Sequence, residues 1–371
     1  MKKRVFWLVL TAFVWLAAFF FFQALFMPKY MSSIPDGALA GEYYQETSPH
    51  DVIFIGDCEV YENFSPIAMW EEYGVTSYVR GSPQQLIWHS YYTLKDTLAR
   101  ETPKAVVFNV LSMQYDKPQS EAYNRMALDG LPLSRTKIQA ARASLIPGEE
   151  TLLSYIFPFF RYHSRWSELG AEDFRYVFHR DPVAHSGFLM RSDVNPAGEM
   201  PEPRKLANYQ FSEICYNYLD RMRLACEEKG VQLILIKAPS LYPHWYEEWD
   251  AQMESYAAEH GLLYINFLDY LEEIPIDFRQ DTYDKGLHLN LAGAEKLGVY
   301  FARILREDLG IPDRREDPEI AAVWAEKSAR YQAQKEAQRL ELESYGYLTR
   351  ATAPGSQNPA RITPVPDSGP E

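Results

Sequence analysis

Cysteine is scarce in this chain of 371 residues: Cys58, Cys215 and Cys226 are its only three. Two of them lie eleven residues apart in one helix-like stretch, FSEICYNYLDRMRLACEEKG. At about 1.5 Å of rise per residue, that spacing separates them by about 16 Å. A disulfide needs Cα atoms within about 7 Å. Cys215 and Cys226 therefore read as separate core thiols, and the chain does not look disulfide-stapled. It also lacks C-x-x-C and H-E-x-x-H, which removes the common zinc spacings. Neither a metal nor a cofactor is expected. Positive charge is short as well, with 37 Lys and Arg against 51 Asp and Glu, a formal net charge of -14. A general nucleic-acid binder needs a basic surface to displace counterions, so that class is disfavoured. No block of like charge is long enough for a polyanion-binding arm, and no internal repeat is visible.

Charge is missing altogether from residues 5–27, VFWLVLTAFVWLAAFFFFQALFM, where Gln23 is the one amide. Roughly 20 apolar residues suffice to cross a bilayer as a helix. The run ends in bulky residues with no A-x-A-like cleavage site, so an uncleaved signal anchor is expected rather than a cleaved export signal. Lys2, Lys3 and Arg4 precede the run and only Lys29 follows closely. The positive-inside rule then leaves residues 1–4 in the cytoplasm and sends the main domain outward.

What the chain does contain is apolar residues, 47% of the total, enough for a sizeable core. After a polar connector at 28–50, strand-like and helix-like segments alternate. DVIFIGD (51–57), TSYVRG (76–81), KAVVFNVLS (104–112), VQLILIKAP (231–239) and LLYINFLDY (262–270) read as strands. Helical patterns over 66–73, 83–101, 212–229, 244–261 and 290–310 fall between or after them. This alternation predicts an α/β domain over 51–312, with helices on both faces of a parallel sheet. Residues 113–211 break the rhythm and read as an insertion packed over the sheet, part of a substrate groove. Residues 313–348 form a charged helical extension outside the core. The Pro/Gly/Ser-rich tail, 349–371, has a disordered composition.

Ligands of such sheets bind at the carboxyl ends of the strands. Cys58 stands there, after IGD. So do Gly81, with Gln84 and Gln85 behind it, and Asn109. The stretch DTYDKGLHLNLAG (281–293) brings Asp284 and His288 to the loop before the last helix. These residue types fit nucleophilic acyl transfer. A thiol at a strand-to-helix turn gains thiolate character from the helix N-terminus. His288 would carry the proton, with Asp284 holding its ring. The Cys58 and Gly81 N–H groups and the Asn109 side chain would hold an oxyanion. Gln84, Gln85 and Lys237 are further candidates for substrate contact.

In this order, GDC, Gly81, Asn109 and Asp284/His288 resemble the four blocks of the SGNH/GDSL hydrolase superfamily, over roughly residues 50–310. IGDCEVYENFSP and DKGLHLNLAGAEKL, together with the anchor, are similar to a membrane-anchored bacterial branch. That branch serves teichoic acid D-alanylation and exopolysaccharide O-acetylation. The resemblance implies a flavodoxin-like α/β/α sandwich, an acyltransferase or esterase activity on a cell-envelope glycan, and a membrane-bound O-acyltransferase as partner. Two departures stand out. Cys58 replaces the usual serine. The usual D-x-x-H spacing is also broken, because Lys285 lies three before His288 and Asp284 lies four before it, which keeps Asp281 as a reserve acid.

Several residues carry plainer readings. Asp57 also reads as a helix cap, Asn109 as a strand-end brace, and His163 and Arg165 as a structural pair. Tyr242, Trp245, Tyr246 and Trp249 are expected to pack a helix rather than stack on sugars. The alternative for the whole chain is a retired hydrolase scaffold that binds or assembles a membrane acyltransferase.

Overall fold

Five short apolar segments pair side by side, all parallel, in the computed structural model of the protein. The structure describes residues 2–28, 36–149, 151–179, 182–200 and 202–348. The expected tail at 349–371, part of the connector and Lys29 lie outside these residues.

The long helix α1 (Lys2–Phe26) is followed by α2 (Asp36–Glu42) and by β1 (Val52–Gly56). Next come α3 (Cys58–Asn63), α4 (Pro66–Tyr73), β2 (Ser77–Gly81), α5 (Ile87–Leu98) and β3 (Ala105–Asn109). The insertion holds α6 (Glu121–Leu128), α7 (Arg135–Ser144), α8 (Leu152–Ile156), α9 (Phe159–Tyr162) and α10 (Ala171–Phe178). The chain returns through α11 (Glu213–Lys229), β4 (Gln232–Lys237), α12 (Glu247–His260) and β5 (Leu263–Asn266). It closes with α13 (Leu291–Glu307) and α14 (Pro318–Tyr345).

The sheet order is β2-β1-β3-β4-β5, the doubly wound order in which the connections reverse between β1 and β3. The strands read as continuous apolar runs because both faces are covered. Ile53, Ile55, Val106 and Phe108 face one core with α5, α11 and α12. Val52, Phe54 and Val107 face the other with α3, α4 and α13. In the second core the Phe54 ring lies 5.0 Å from Phe64 and 5.8 Å from Phe301. Truncating one such ring to alanine costs about 3–5 kcal/mol. Cys215 and Cys226 are free, buried thiols of the first core. Trp245 and Trp249 also pack there, while Tyr242 is exposed and Tyr246 half-buried.

Several expected boundaries move. The segment at 83–101 becomes helical only at Ile87, because Gln84 takes a left-handed backbone, φ 45°. The strand expected over 262–270 stops at Asn266, whose side chain accepts a hydrogen bond from the Leu268 N–H and turns the chain into a 3-10 segment. The connector is more ordered than its polarity suggests. Leu39 and Tyr43, four residues apart on one helical face, are buried.

The insertion does pack against the sheet. Its last part runs along the free edge of β2, where the Val79 N–H donates to the Ser186 carbonyl at 2.9 Å and covers an otherwise exposed strand edge. Gly187 makes this possible: with φ 86°, a Cβ there would stand 1.9 Å from the Val79 oxygen. The extension at 313–348 is not merely solvated surface. Trp324 of α14 stacks on Trp70 with ring centroids 5.1 Å apart, and Tyr331 lies within 3.0 Å of the Ser65 hydroxyl. Both are fully buried. The helix α1 has the length and composition of a membrane span or an export signal.

Candidate active site

Gly56 ends β1, and Asp57 turns the chain into α3. Gly56 and Gly81 are neighbours in the sheet register, and neither has room for a side chain. A Cβ on Gly56 would meet the Asn109 Cβ at 2.9 Å; one on Gly81 would meet the Asp57 carbonyl at 3.0 Å. The two glycines let the turn carrying Cys58 sit directly on the strand ends. Asp57 caps α3 by accepting the Glu59 N–H at 3.1 Å, which bears out its reading as a cap. Burial and the Glu59 charge push its carboxyl up to about 7, against the pull of Lys237.

Cys58 opens α3 and is partly accessible. Burial of the sulfur raises the thiol to about 11; the His288 charge pulls it back, while Asp57 and Glu62 push it further up. The helix N-terminus was expected to favour the thiolate, and here desolvation outweighs it. The helix has six residues, too few for a strong dipole, and two carboxylates crowd the sulfur.

The loop at 281–290 delivers the imidazole. The His288 Nδ1 lies 2.6 Å from Asp284 Oδ2, and the His288 backbone N–H donates to Asp284 Oδ1 at 2.8 Å. Asp284, not Asp281, is the acid on the ring. Asp281 instead pairs with Lys296 at 2.7 Å and accepts the Asp277 N–H. The four-residue spacing works because Lys285 (φ 69°) and Gly286 (φ 98°) both turn left-handed. Thr282 ties the turn off, donating to the His288 carbonyl at 2.7 Å and accepting from the Gly286 N–H at 2.8 Å. The residues that follow His288, through Gly293, are fixed by local causes. Asn290 caps α13 by accepting the Gly293 N–H. A Cβ on Gly293 would lie 2.7 Å from the Asp281 carbonyl.

A second carboxylate meets the same ring. Glu62 Oε2 is 3.0 Å from His288 Nδ1 and also accepts the Tyr283 hydroxyl. Burial would lower the proton affinity of His288, but Glu62, Cys58, Tyr283 and Asp284 outweigh it and hold it well above the ordinary histidine value. With Nδ1 taken by carboxylates, the buried and unpaired Nε2 is the nitrogen left for the Cys58 sulfur. No hydrogen bond to the sulfur closes geometrically in this state. Glu62, Asp284 and His288 present atoms within 4.8 Å of one another, so they are also the one candidate cation cluster among the described residues.

Asn109 joins a different network. Its amide donates to Asp57 Oδ1 at 3.1 Å and to Glu59 Oε2 at 2.9 Å, and its oxygen accepts the Ala238 N–H. Both amide hydrogens are thus engaged with carboxylates rather than free for an oxyanion. Lys237 is wholly buried, donating to Glu59 at 2.9 Å and to Ser240 at 3.1 Å. Gln85 braces its own turn through Arg80, Ser82 and Ser90, and Gln84 is half-buried. Arg165 donates to the Phe26 carbonyl and pairs with Asp173, and His163 is exposed.

Sequence reasoning missed Glu62, Tyr283 and Glu59. One signal was available: Glu62 follows Cys58 by four residues, which puts both on one helical face. Asn63, next along, accepts the Leu289 N–H at 2.8 Å, so α3 carries the thiol at one end and grips the histidine loop at the other. No protein-family model matches this sequence, and comparison with curated proteins finds no match.

Proposed function

We propose that the protein is a membrane-anchored, extracytoplasmic acyltransferase or esterase that acts on acyl esters of a cell-envelope polysaccharide through a thioester on Cys58. In this reading it is a diverged SGNH-type enzyme working beside a membrane-bound O-acyltransferase. The observation that carries it is the convergence of Asp284, His288 and Cys58 at the carboxyl end of β1, where the connections of the sheet reverse.

The proton affinities suggest how the groups share the work. At rest the site holds a thiol beside an imidazolium. Loss of one proton to solvent gives a thiolate–imidazolium pair. The thiolate adds to the ester carbonyl, the C–O bond breaks, and the leaving alcohol takes the His288 proton. Neutral His288, made strongly basic by Asp284 and Glu62, then takes the proton of an acceptor hydroxyl or of water as that oxygen attacks the thioester. The thiolate–imidazolium pair is regenerated. Backbone N–H groups at Cys58 and Gly81 are the oxyanion donors in this scheme.

Replacing Cys58 by Ala and by Ser and measuring envelope ester content tests the scheme. The alanine variant should lose the ester change; an unchanged ester content in Cys58→Ala would overturn the catalytic role. A retired scaffold is the second reading, and the raised thiol favours it. Labelling of Cys58 by a thiol-reactive acyl probe that depends on His288 would reject that view.

A further inference from the structure

Residues 152–178 have no role in the site, yet they expose more large apolar surface than their length warrants. Leu153, Phe160, Trp166, Phe174 and Phe178 are each about half or more exposed, Trp166 at 73% and Phe178 at 81%. A soluble domain does not leave such a set uncovered without a partner. The same segment grips the end of α1. The Phe159 N–H donates to the side-chain oxygen of Gln23, the one amide of the apolar run, at 2.7 Å. Arg165 donates to the Phe26 carbonyl at 2.8 Å, closing the helix C-terminus. Phe157, Phe178 and Phe159 set their rings against Phe19, Phe21 and Phe26, at 5.5, 6.2 and 5.2 Å.

The length of α1 fixes the depth of this junction. Its 25 residues span about 37 Å, against about 30 Å of hydrocarbon in a bilayer. With Lys2, Lys3 and Arg4 at one face, the last turn of α1, ending at Phe26, reaches the opposite headgroup region. Aromatic side chains are favoured at that depth. Arg161, His163 and Arg175 are exposed in the same segment and His179 directly after it, and basic groups suit a headgroup layer.

We infer that residues 152–178 are a second membrane contact: an aromatic foot that inserts Phe160, Trp166 and Phe178 at the lipid headgroup–acyl boundary beside the anchor. This rests on the reading that α1 remains in the membrane. The foot fixes the height and tilt of the domain instead of leaving it swinging on one helix.

The test uses the full-length protein, with Cys58→Ser, in nanodiscs of mixed phosphatidylglycerol and phosphatidylethanolamine. The two remaining cysteines are buried. Single nitroxide labels are placed through Trp166→Cys, Phe178→Cys, Leu340→Cys on α14, and Val14→Cys within α1. Collision with oxygen, which concentrates in lipid, is compared with collision with a water-soluble nickel chelate. The labels at 166 and 178 should show an oxygen-to-nickel ratio about tenfold above that at 340. A lipid-like ratio at 14 with water-like ratios at 166 and 178 would overturn the foot and leave the anchor standing. A water-like ratio at 14 would overturn both.

Discussion

The ionisation of Cys58 gives the sharpest test of the site's geometry. A thiol near pKa 11 is ionised in about one molecule in a thousand at pH 8, whereas an ordinary thiol near 8.5 is about a quarter ionised. Alkylation at pH 8 should therefore run roughly 200-fold below that of a free cysteine peptide, and rise about tenfold per pH unit up to pH 10. Restricted access lowers the plateau rate without moving the pH at half-plateau, so the profile isolates the proton affinity. His288→Ala removes the charge that pulls the thiol down. It should slow alkylation at pH 8 by about tenfold or more, since one pKa unit corresponds to about 1.4 kcal/mol. Iodoacetamide labelling between pH 7 and 10.5, followed by intact-mass spectrometry with Cys58→Ala as the blank, reads this directly. Cys215 and Cys226 are buried and should stay silent. A half-plateau at or below pH 8.5, or a profile unmoved by His288→Ala, would refute the placement of an imidazolium beside a desolvated sulfur.

Three further outcomes follow from the packing. Lys237→Met strands the buried Glu59 charge and should lower unfolding free energy by about 3–5 kcal/mol in urea titrations. Glu42 is buried, and its carboxyl rises to about 7 because desolvation outweighs the Val183 and Ala184 N–H donors. The folded state thus binds this proton more tightly than the unfolded chain does, and its contribution to stability falls as pH climbs from about 4.5 to 7. Glu42→Gln should flatten the melting temperature across that window. Trp324→Ala opens a cavity against Trp70 and should cost about 3–5 kcal/mol by chemical denaturation, even though α14 lies outside the sheet.

The order of the elements was legible because strands buried on both faces are written as short apolar runs, such as VIFIG and AVVFN. The positions of Cys58, Asp284 and His288 were legible for a related reason: Gly56, Gly286 and Gly293 mark where backbone must turn or approach closely. The choice between Asp284 and Asp281 was not. It depends on two successive left-handed residues, one of them Lys285, which no composition rule forecasts. Glu59 and Lys237 were opaque too, because their pairing joins residues 178 apart in sequence. The thiol was misjudged because burial is a property of the assembled domain, whereas the helix N-terminus is visible in the local sequence. Likewise, the charge of 313–348 concealed Trp324 and Tyr331, two apolar surfaces among many polar neighbours.

That last helix has a consequence for how the protein is made. The hydroxyls of Ser65 and Tyr331 face each other across 266 residues of chain, and Trp70 waits for Trp324. A chain synthesised from its N-terminus exposes the face of α4 long before the cover exists. The finished domain is therefore a late event in biogenesis. Premature termination between α13 and residue 324 leaves the outer, apolar face of α4 uncovered, and such nascent chains are natural clients for holding chaperones.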